Sequence, residues 1–346
     1  MSVTNVLKAG LAAMAASAIG LPILVGAATA PVQASVVART GAMAPAGLHI
    51  AGTVKLGAAS SLFSAAPNGA VYYTRGSSSV YVVNGTSAPR LAIRAGGVVL
   101  ALAANSTEVF VDVGRTVTEY SRRTGAKGRQ WKLSILAHTR TTAAGLYAVG
   151  GNVWGWTDWF TGESGFEYAT VSRFSTSSGT VHKVSSDIAL LDMAADSAGL
   201  YYQSVNSEGA YGYLVHVSPS GSVHRVTDTS LGGPLALAGG RVVLIGYPAG
   251  RTYLDGYSAG SLVRTFARRV SRGDIALAGT TAGLLVLTAT CMTSVCPSAT
   301  VSQVSTATGV ATAPLGVPDA ISLVPGPAAA AIAYRSGSYY LVRLAG

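Results

Sequence analysis

Residues 191–226 read LDMAADSAGLYYQSVNSEGAYGYLVHVSPSGSVHRV, and the order of textures in this stretch decides the fold. A small, apolar strand-like run (LDMAADS, 191–197) leads through a tight turn into an aromatic and apolar run (GLYYQ, 199–203). A hairpin with Gly at its turn (VSPSGSVHRV, 217–226) follows. Working outward, the middle run recurs as AVYYT (70–74), EVFVD (108–112), NVWGW (152–156), RVVLI (241–245), GLLVL (283–287) and AAIAY (330–334). That makes seven copies. With Val71, Val109, Val153, Leu200, Val242, Leu284 and Ala331 as anchors, the steps are 38, 44, 47, 42, 42 and 47 residues. Such a period fits a four-stranded blade and is too long for leucine-rich or β-helix rungs.

The flanking signatures recur with it. Small apolar runs precede most anchors: LALAANS (100–106), LALAGG (235–240), IALAGTT (275–281) and ISLVPGP (321–327). Small side chains suit the crowded innermost strand beside a propeller axis. Hairpins with Gly turns follow most anchors, as in YSRRTGAKGRQWKL (120–133) and FSTSSGTVHKV (174–184). Gly is favoured there because tight hairpins need positive φ, which a Cβ disfavours. The expected fold is all-β: a seven-bladed β-propeller of four-stranded antiparallel blades. The last copy runs out after its third strand, near 338–344. The strand-like run Leu48–Leu56 is therefore expected to supply the missing outer strand and close the ring, removing exposed edges.

On these motifs the chain resembles the secreted bacterial β-propellers with degenerate repeats, of the quinoprotein-like, seven-bladed kind, over nearly all of residues 48–346. The resemblance is to a fold family. No Gly-His…Trp-Asp pair recurs, which separates the chain from Trp-Asp repeats. Thr124-Gly125 followed by Trp131 is similar to the Thr-Gly-x-x-x-Trp hairpin of quinoprotein-type propellers, with two extra residues before Trp. Only one blade carries that Trp and no adjacent-cysteine pair occurs, so no quinone cofactor is implied, and no cofactor is expected.

The amino-terminal stretch is of a different texture. Lys8 is the only charge before Arg39, and Ala9–Ala30 is small and apolar throughout, as in an export leader. Val32-Gln33-Ala34 before Ser35 is the expected cleavage site. The expected organisation is a signal peptide over 1–34, a flexible segment over 35–47 and the propeller over 48–346, with no stable membrane span after cleavage. The product is expected to be secreted and monomeric. Charged residues make up 11% and apolar residues 49%, a balance that suits strands buried between sheets. The formal net charge is +10, and Arg supplies 19 of the 24 basic residues. Basic charge suits contact with anionic envelope polymers, although no recognised motif points to nucleic acid. The charges are scattered apart from two groups, Arg115–Lys132 and Arg264–Arg272. The two cysteines, Cys291 and Cys296, read as a structural disulfide on a hairpin tip in an oxidising compartment.

The densest local chemistry is the segment 156–168. Counting Trp154 just before it, this region holds three of the four Trp residues, and it carries three of the 14 acidic residues. Trp156, Asp158, Trp159, Glu163, Glu167 and Tyr168 read as a long loop after a middle strand. Tyr211, Tyr247, Arg251 and Tyr253 fall at equivalent places in the next two blades. Aromatic faces flanked by carboxylates are what sugar stacking and protein interfaces demand. The expectation is a non-catalytic recognition module for an envelope glycan or an extracellular protein. The competing reading is a metal-assisted hydrolase or lyase acting on a sugar or lactone. Enzyme signatures are sparse: no His-x-His or His-Glu-x-x-His occurs, and no catalytic or metal-binding residue is assigned. Asp187, Asp192, Asp196, Asp228, Asp274 and Asp319 lie in or beside inner strands, where capping of turns explains Asp best.

Overall fold

The computed structural model describes residues 47–346 apart from 134–139, 161–166, 180, 189, 206–211, 229–230, 247–250, 271–273, 281–282, 290–295 and 325–328. Of several strand segments, 156–160 and 167–169 among them, only the backbone placement is described.

The chain opens with β1 (His49–Gly57) and then lays down blades in order. The first blade is β2 (Ala59–Ala65), β3 (Val71–Arg75), β4 (Ser79–Val83) and β5 (Arg90–Arg94). The second is β6 (Val99–Ala104), β7 (Glu108–Val113), β8 (Thr116–Ser121) and β9 (Lys127–Lys132). The third is β10 (Arg140–Val149), β11 (Asn152–Phe160), β12 (Glu167–Ser175) and β13 (Val181–Ile188). The fourth is β14 (Leu190–Asp196), β15 (Gly199–Val205), β16 (Gly212–Val217) and β17 (Val223–Asp228). The fifth is β18 (Leu231–Ala238), β19 (Arg241–Gly246), β20 (Tyr253–Ser258) and β21 (Arg264–Arg269). The sixth is β22 (Asp274–Thr280), β23 (Gly283–Thr288), β24 (Thr300–Val304) and β25 (Leu315–Gly316). The seventh holds β26 (Ala320–Leu323), β27 (Ala330–Arg335) and β28 (Ser338–Ala345). Every sheet has four antiparallel strands, and the seventh has the order β1-β28-β27-β26. Its β1 runs antiparallel to β28, from His49 opposite Ala345 to Gly57 opposite Tyr339. The molecule is a seven-bladed β-propeller.

All seven sequence anchors sit in the second strand of a blade, and the packing explains why those strands read as unbroken apolar runs. Successive side chains of a strand point to opposite faces of the sheet, and here both faces are covered by a neighbouring blade. On β19, Val242 and Leu244 pack with Tyr201 and Leu214 of the fourth blade. Val243 and Ile245 pack with Leu277 and Leu284 of the sixth. The same division on the other blades produces seven buried clusters, one at each junction of adjacent blades. The junction of the seventh and first blades is among them: Leu56, Ile332 and Leu341 meet Val71, Tyr73 and Val83.

Inner strands are built from small residues because they approach one another closely. A Cβ placed on Gly279 of β22 would lie 1.5 Å from the Leu237 carbonyl oxygen of the neighbouring inner strand, so any side chain there would push the blades apart. Trp131, the residue that carries the quinoprotein-like hairpin signature, is buried between the second and third blades. Its ring stacks on Phe174 with centroids 4.9 Å apart.

Arginines tie the blades together where turns leave carbonyl groups without ladder partners. Arg129 of the second blade donates to the Thr176 and Ser177 carbonyls of the third, the latter at 2.8 Å. Arg241 reaches the Thr306 carbonyl across the fifth and sixth blades at 2.6 Å. Arg343 reaches the Gly69 carbonyl across the seventh and first at 2.8 Å. A planar guanidinium with five donors suits this task better than an ammonium. The Arg-rich composition thus has a structural use.

Candidate functional site

The inner strands of all seven blades enclose an axial channel of about 570 Å³, lined by residues such as Leu62, Ala103, Tyr147, Leu235, Leu277 and Leu323. Its one described carboxylate is Asp192. Asp192 Oδ1 accepts from the Met193 amide at 2.8 Å, and Oδ2 accepts from the Leu235 amide of the fifth blade at 2.7 Å. Burial pushes its pKa up to about 6, against the opposing pull of those two amides. Burial and the Asp192 charge together raise the Tyr147 hydroxyl above its ordinary value. Asp192 therefore works as a clasp between two blades and lends the channel a group that exchanges its proton near neutral pH.

The other aspartates singled out in the sequence divide by place and role, and two of them, Asp187 and Asp228, fall on the outermost strands of their blades. Asp196 caps its turn, accepting from the Ala198 amide at 2.8 Å and the Gly199 amide at 3.2 Å. Asp319 holds a positive φ of 61° and pairs with Arg335 at 3.2 Å. Asp187, Asp228 and Asp274 lie within β13, β17 and β22. Among the described residues there is no group of three or more His, Cys, Asp or Glu side chains able to hold a metal. The Asn105-Ser106-Thr107 triplet has the pattern of a glycosylation acceptor. Its Asn105 is buried, with Oδ1 accepting from the Thr107 and Glu108 amides, so it serves the turn.

The aromatic segment of the third blade is built differently from the sequence expectation. Read as a loop over 156–168, it is mostly strand: β11 runs on to Phe160 and β12 starts at Glu167. Trp159 lies opposite Tyr168, Phe160 opposite Glu167, and Asp158 opposite Ala169. Trp156 is in register with Gly145 and Val171. The run Trp156-Thr157-Asp158-Trp159-Phe160 carries the signal that would have shown this, since aromatic and β-branched residues favour strands. Measured from the anchors, the second strands of the other blades end four or five residues on, at Arg75, Val113, Val205, Gly246, Thr288 and Arg335, whereas β11 ends seven residues after Val153. At about 3.3 Å per residue the third blade thus extends some 7–10 Å further toward the face that carries the turns between second and third strands. Trp154, by contrast, is core: it is 1% exposed and packs against Met193 and Tyr202 of the fourth blade.

The same face receives Arg251, exposed just before β20, and Tyr253, half-buried within it opposite Gly246 and Arg269. Glu163, Tyr211 and Tyr247 lie outside the described residues, as does Cys291. Cys296 is 2% exposed in the core between the sixth and seventh blades.

No protein-family model and no curated protein matches the chain. Solved structures do. The hydrazine synthase of Kuenenia stuttgartiensis aligns with a TM-score of 0.55 at 11% identity, covering 81% of this chain and 94% of that one. The chain is similar to it in fold. An oligogalacturonate lyase in complex with manganese gives 0.53 at 12% identity, over 80% of this chain and 86% of that one. The Dos1 propeller gives 0.51 at 10%, over 82% and 74%. At such identities the likeness reaches the ring of blades and carries no side-chain chemistry with it.

Proposed function

We propose that this protein is an exported, non-catalytic recognition module that binds a cell-envelope glycan or an extracellular protein through the aromatic end of its third blade. The observation that carries the reading is the overhang of β11 and β12, which sets Trp159 opposite Tyr168 and Phe160 opposite Glu167 beyond the length common to the other blades. Aromatic residues at a strand end that outreaches its neighbours are available to stack on a sugar ring or to anchor an interface, and adjacent acidic residues accept hydroxyl hydrogens. Arg251 and Tyr253 of the fifth blade belong to the same face. Export rests on the leader-like composition of residues 1–34, with cleavage after Ala34.

The test is intrinsic tryptophan fluorescence of the secreted protein titrated with cell-wall and capsular polysaccharide fractions, beside a Trp159→Ala, Tyr168→Ala variant. A saturable shift lost in the variant supports glycan recognition at this hairpin. If no fraction responds, and no extracellular protein captured by the parent is lost by the variant, the reading fails.

A further inference from the structure

The opposite face of the disc carries a second feature. The turns joining first to second strands and third to fourth strands of the first and second blades surround a notch of about 770 Å³. Arg90, Arg122 and Arg123 line it with Asn68, Asn84 and Glu108. These arginines come from two blades, and two of them belong to the basic group of the sequence between Arg115 and Lys132.

The three arginines are not equivalent. Arg122 is spent on the scaffold: Nε donates to the Tyr72 hydroxyl at 3.1 Å, Nη1 to the Asn105 and Ser106 carbonyls at 2.9 and 2.6 Å, and Nη2 to Asn68 Oδ1 at 2.6 Å. That network fixes one wall across the two blades. Arg343 braces the other side, donating to the Gly69 and Gly85 carbonyls next to Asn68 and Asn84. Arg90 and Arg123 are exposed, and among the described residues neither guanidinium has a hydrogen-bond or ion-pair partner. Two uncommitted guanidinium forks thus face a pocket whose walls are held by a third.

We propose that this notch binds an acidic sugar unit of a carboxylate-bearing polysaccharide, separately from the aromatic hairpin. Arg90 and Arg123 hold the carboxylate, for which the planar guanidinium offers paired donors. Asn68 and Asn84 present amide groups for the ring hydroxyls. Glu108 sets the class of ligand. Its carboxylate, already accepting from the Thr107 hydroxyl, takes a hydrogen bond from a neutral sugar hydroxyl but repels a second anionic group. A polymer with one charge per sugar fits this arrangement, and a densely charged polyphosphate does not. The notch volume lies in the range of ordinary small-ligand sites.

The experiment is isothermal titration of the secreted protein at 0.15 M salt with an alginate hexasaccharide, maltohexaose and hexametaphosphate. It compares the parent with Arg90→Gln/Arg123→Gln and with Arg94→Gln, which removes an exposed arginine of β5 outside the notch. We expect saturable binding of alginate alone, weakened at least tenfold in the double variant and unchanged in Arg94→Gln. Unaltered alginate binding by the double variant overturns the site. Equal loss in Arg94→Gln, or equal binding of hexametaphosphate, reduces it to attraction by net charge and overturns it too. Failure to bind alginate at all also overturns it. The Trp159→Ala, Tyr168→Ala variant retains alginate binding in the notch, so loss of the hairpin's ligand and loss of this one are read independently.

Discussion

Asp112 is the residue whose chemistry is least at ease with its surroundings. It is fully buried on β7, three residues after its anchor, and neither carboxylate oxygen makes a hydrogen bond of ordinary geometry. Burial pushes its pKa up to about 6, and the backbone and charge of Arg115 offset this only in part. The folded chain therefore binds a proton that the unfolded chain has released, over the interval between the ordinary carboxylate value and about 6. Stability rises as pH falls through that interval and is lowest above it, by about 3 kcal/mol for a shift of this size. Asp192 adds a contribution of the same sign. We expect urea midpoints to be higher at pH 5 than at pH 7.5. Asp112→Asn is expected to stabilise the protein at pH 7.5 by about 1 kcal/mol or more and to flatten the profile, since an amide carries no charge to desolvate. A midpoint that falls between pH 7.5 and pH 5 in the parent would contradict this. In the sequence, Asp112 is the last letter of EVFVD and looks like the polar end of a strand. Its burial comes from the neighbouring blade, which local pattern cannot register.

At the level of strands, the seven middle strands were legible because burial on both faces leaves a plain apolar run, and the turns were legible through Gly. The reach of β11 was not, because Asp158 and the Gly and Ser residues that follow break the pattern while aromatic residues sustain the strand. The notch was invisible for a different reason: Asn68 and Arg90 come from two separate turns of the first blade and Arg122 from the second, and no periodicity links them. Two further outcomes belong to single elements. Val54 and Leu56 of β1 are buried against the first and seventh blades, and each contributes roughly 1.5–3 kcal/mol by burial. Deleting residues 48–56 is expected to cost several kcal/mol and to broaden the urea transition, whereas deleting 35–46 costs little. Equal midpoints would show β1 to be dispensable. For the cysteines, no free thiol occurs among the described residues. We expect the intact chain, isolated without reductant, to be lighter than its reduced form by two hydrogen atoms, and a measured mass equal to the reduced form would remove the Cys291–Cys296 pairing.

For the molecule as a whole, the division of residues between blade junctions and faces shows where selection on shape ends and chemistry begins. The junctions hold most of the large apolar side chains, and the arginine ties sit at their ends. One face carries the longer second strand of the third blade, the other a basic notch. The pairing of β1 with β28 joins residues almost a full chain length apart, His49 with Ala345. Contacts of such sequence separation form late, because closing so long a loop must precede any gain from them. During synthesis the first strand waits for the last, and the outer edge of the seventh blade stays open until the carboxy-terminal residues arrive. A chain cut short before β28 therefore leaves β1 without its partner strand and the ring unclosed.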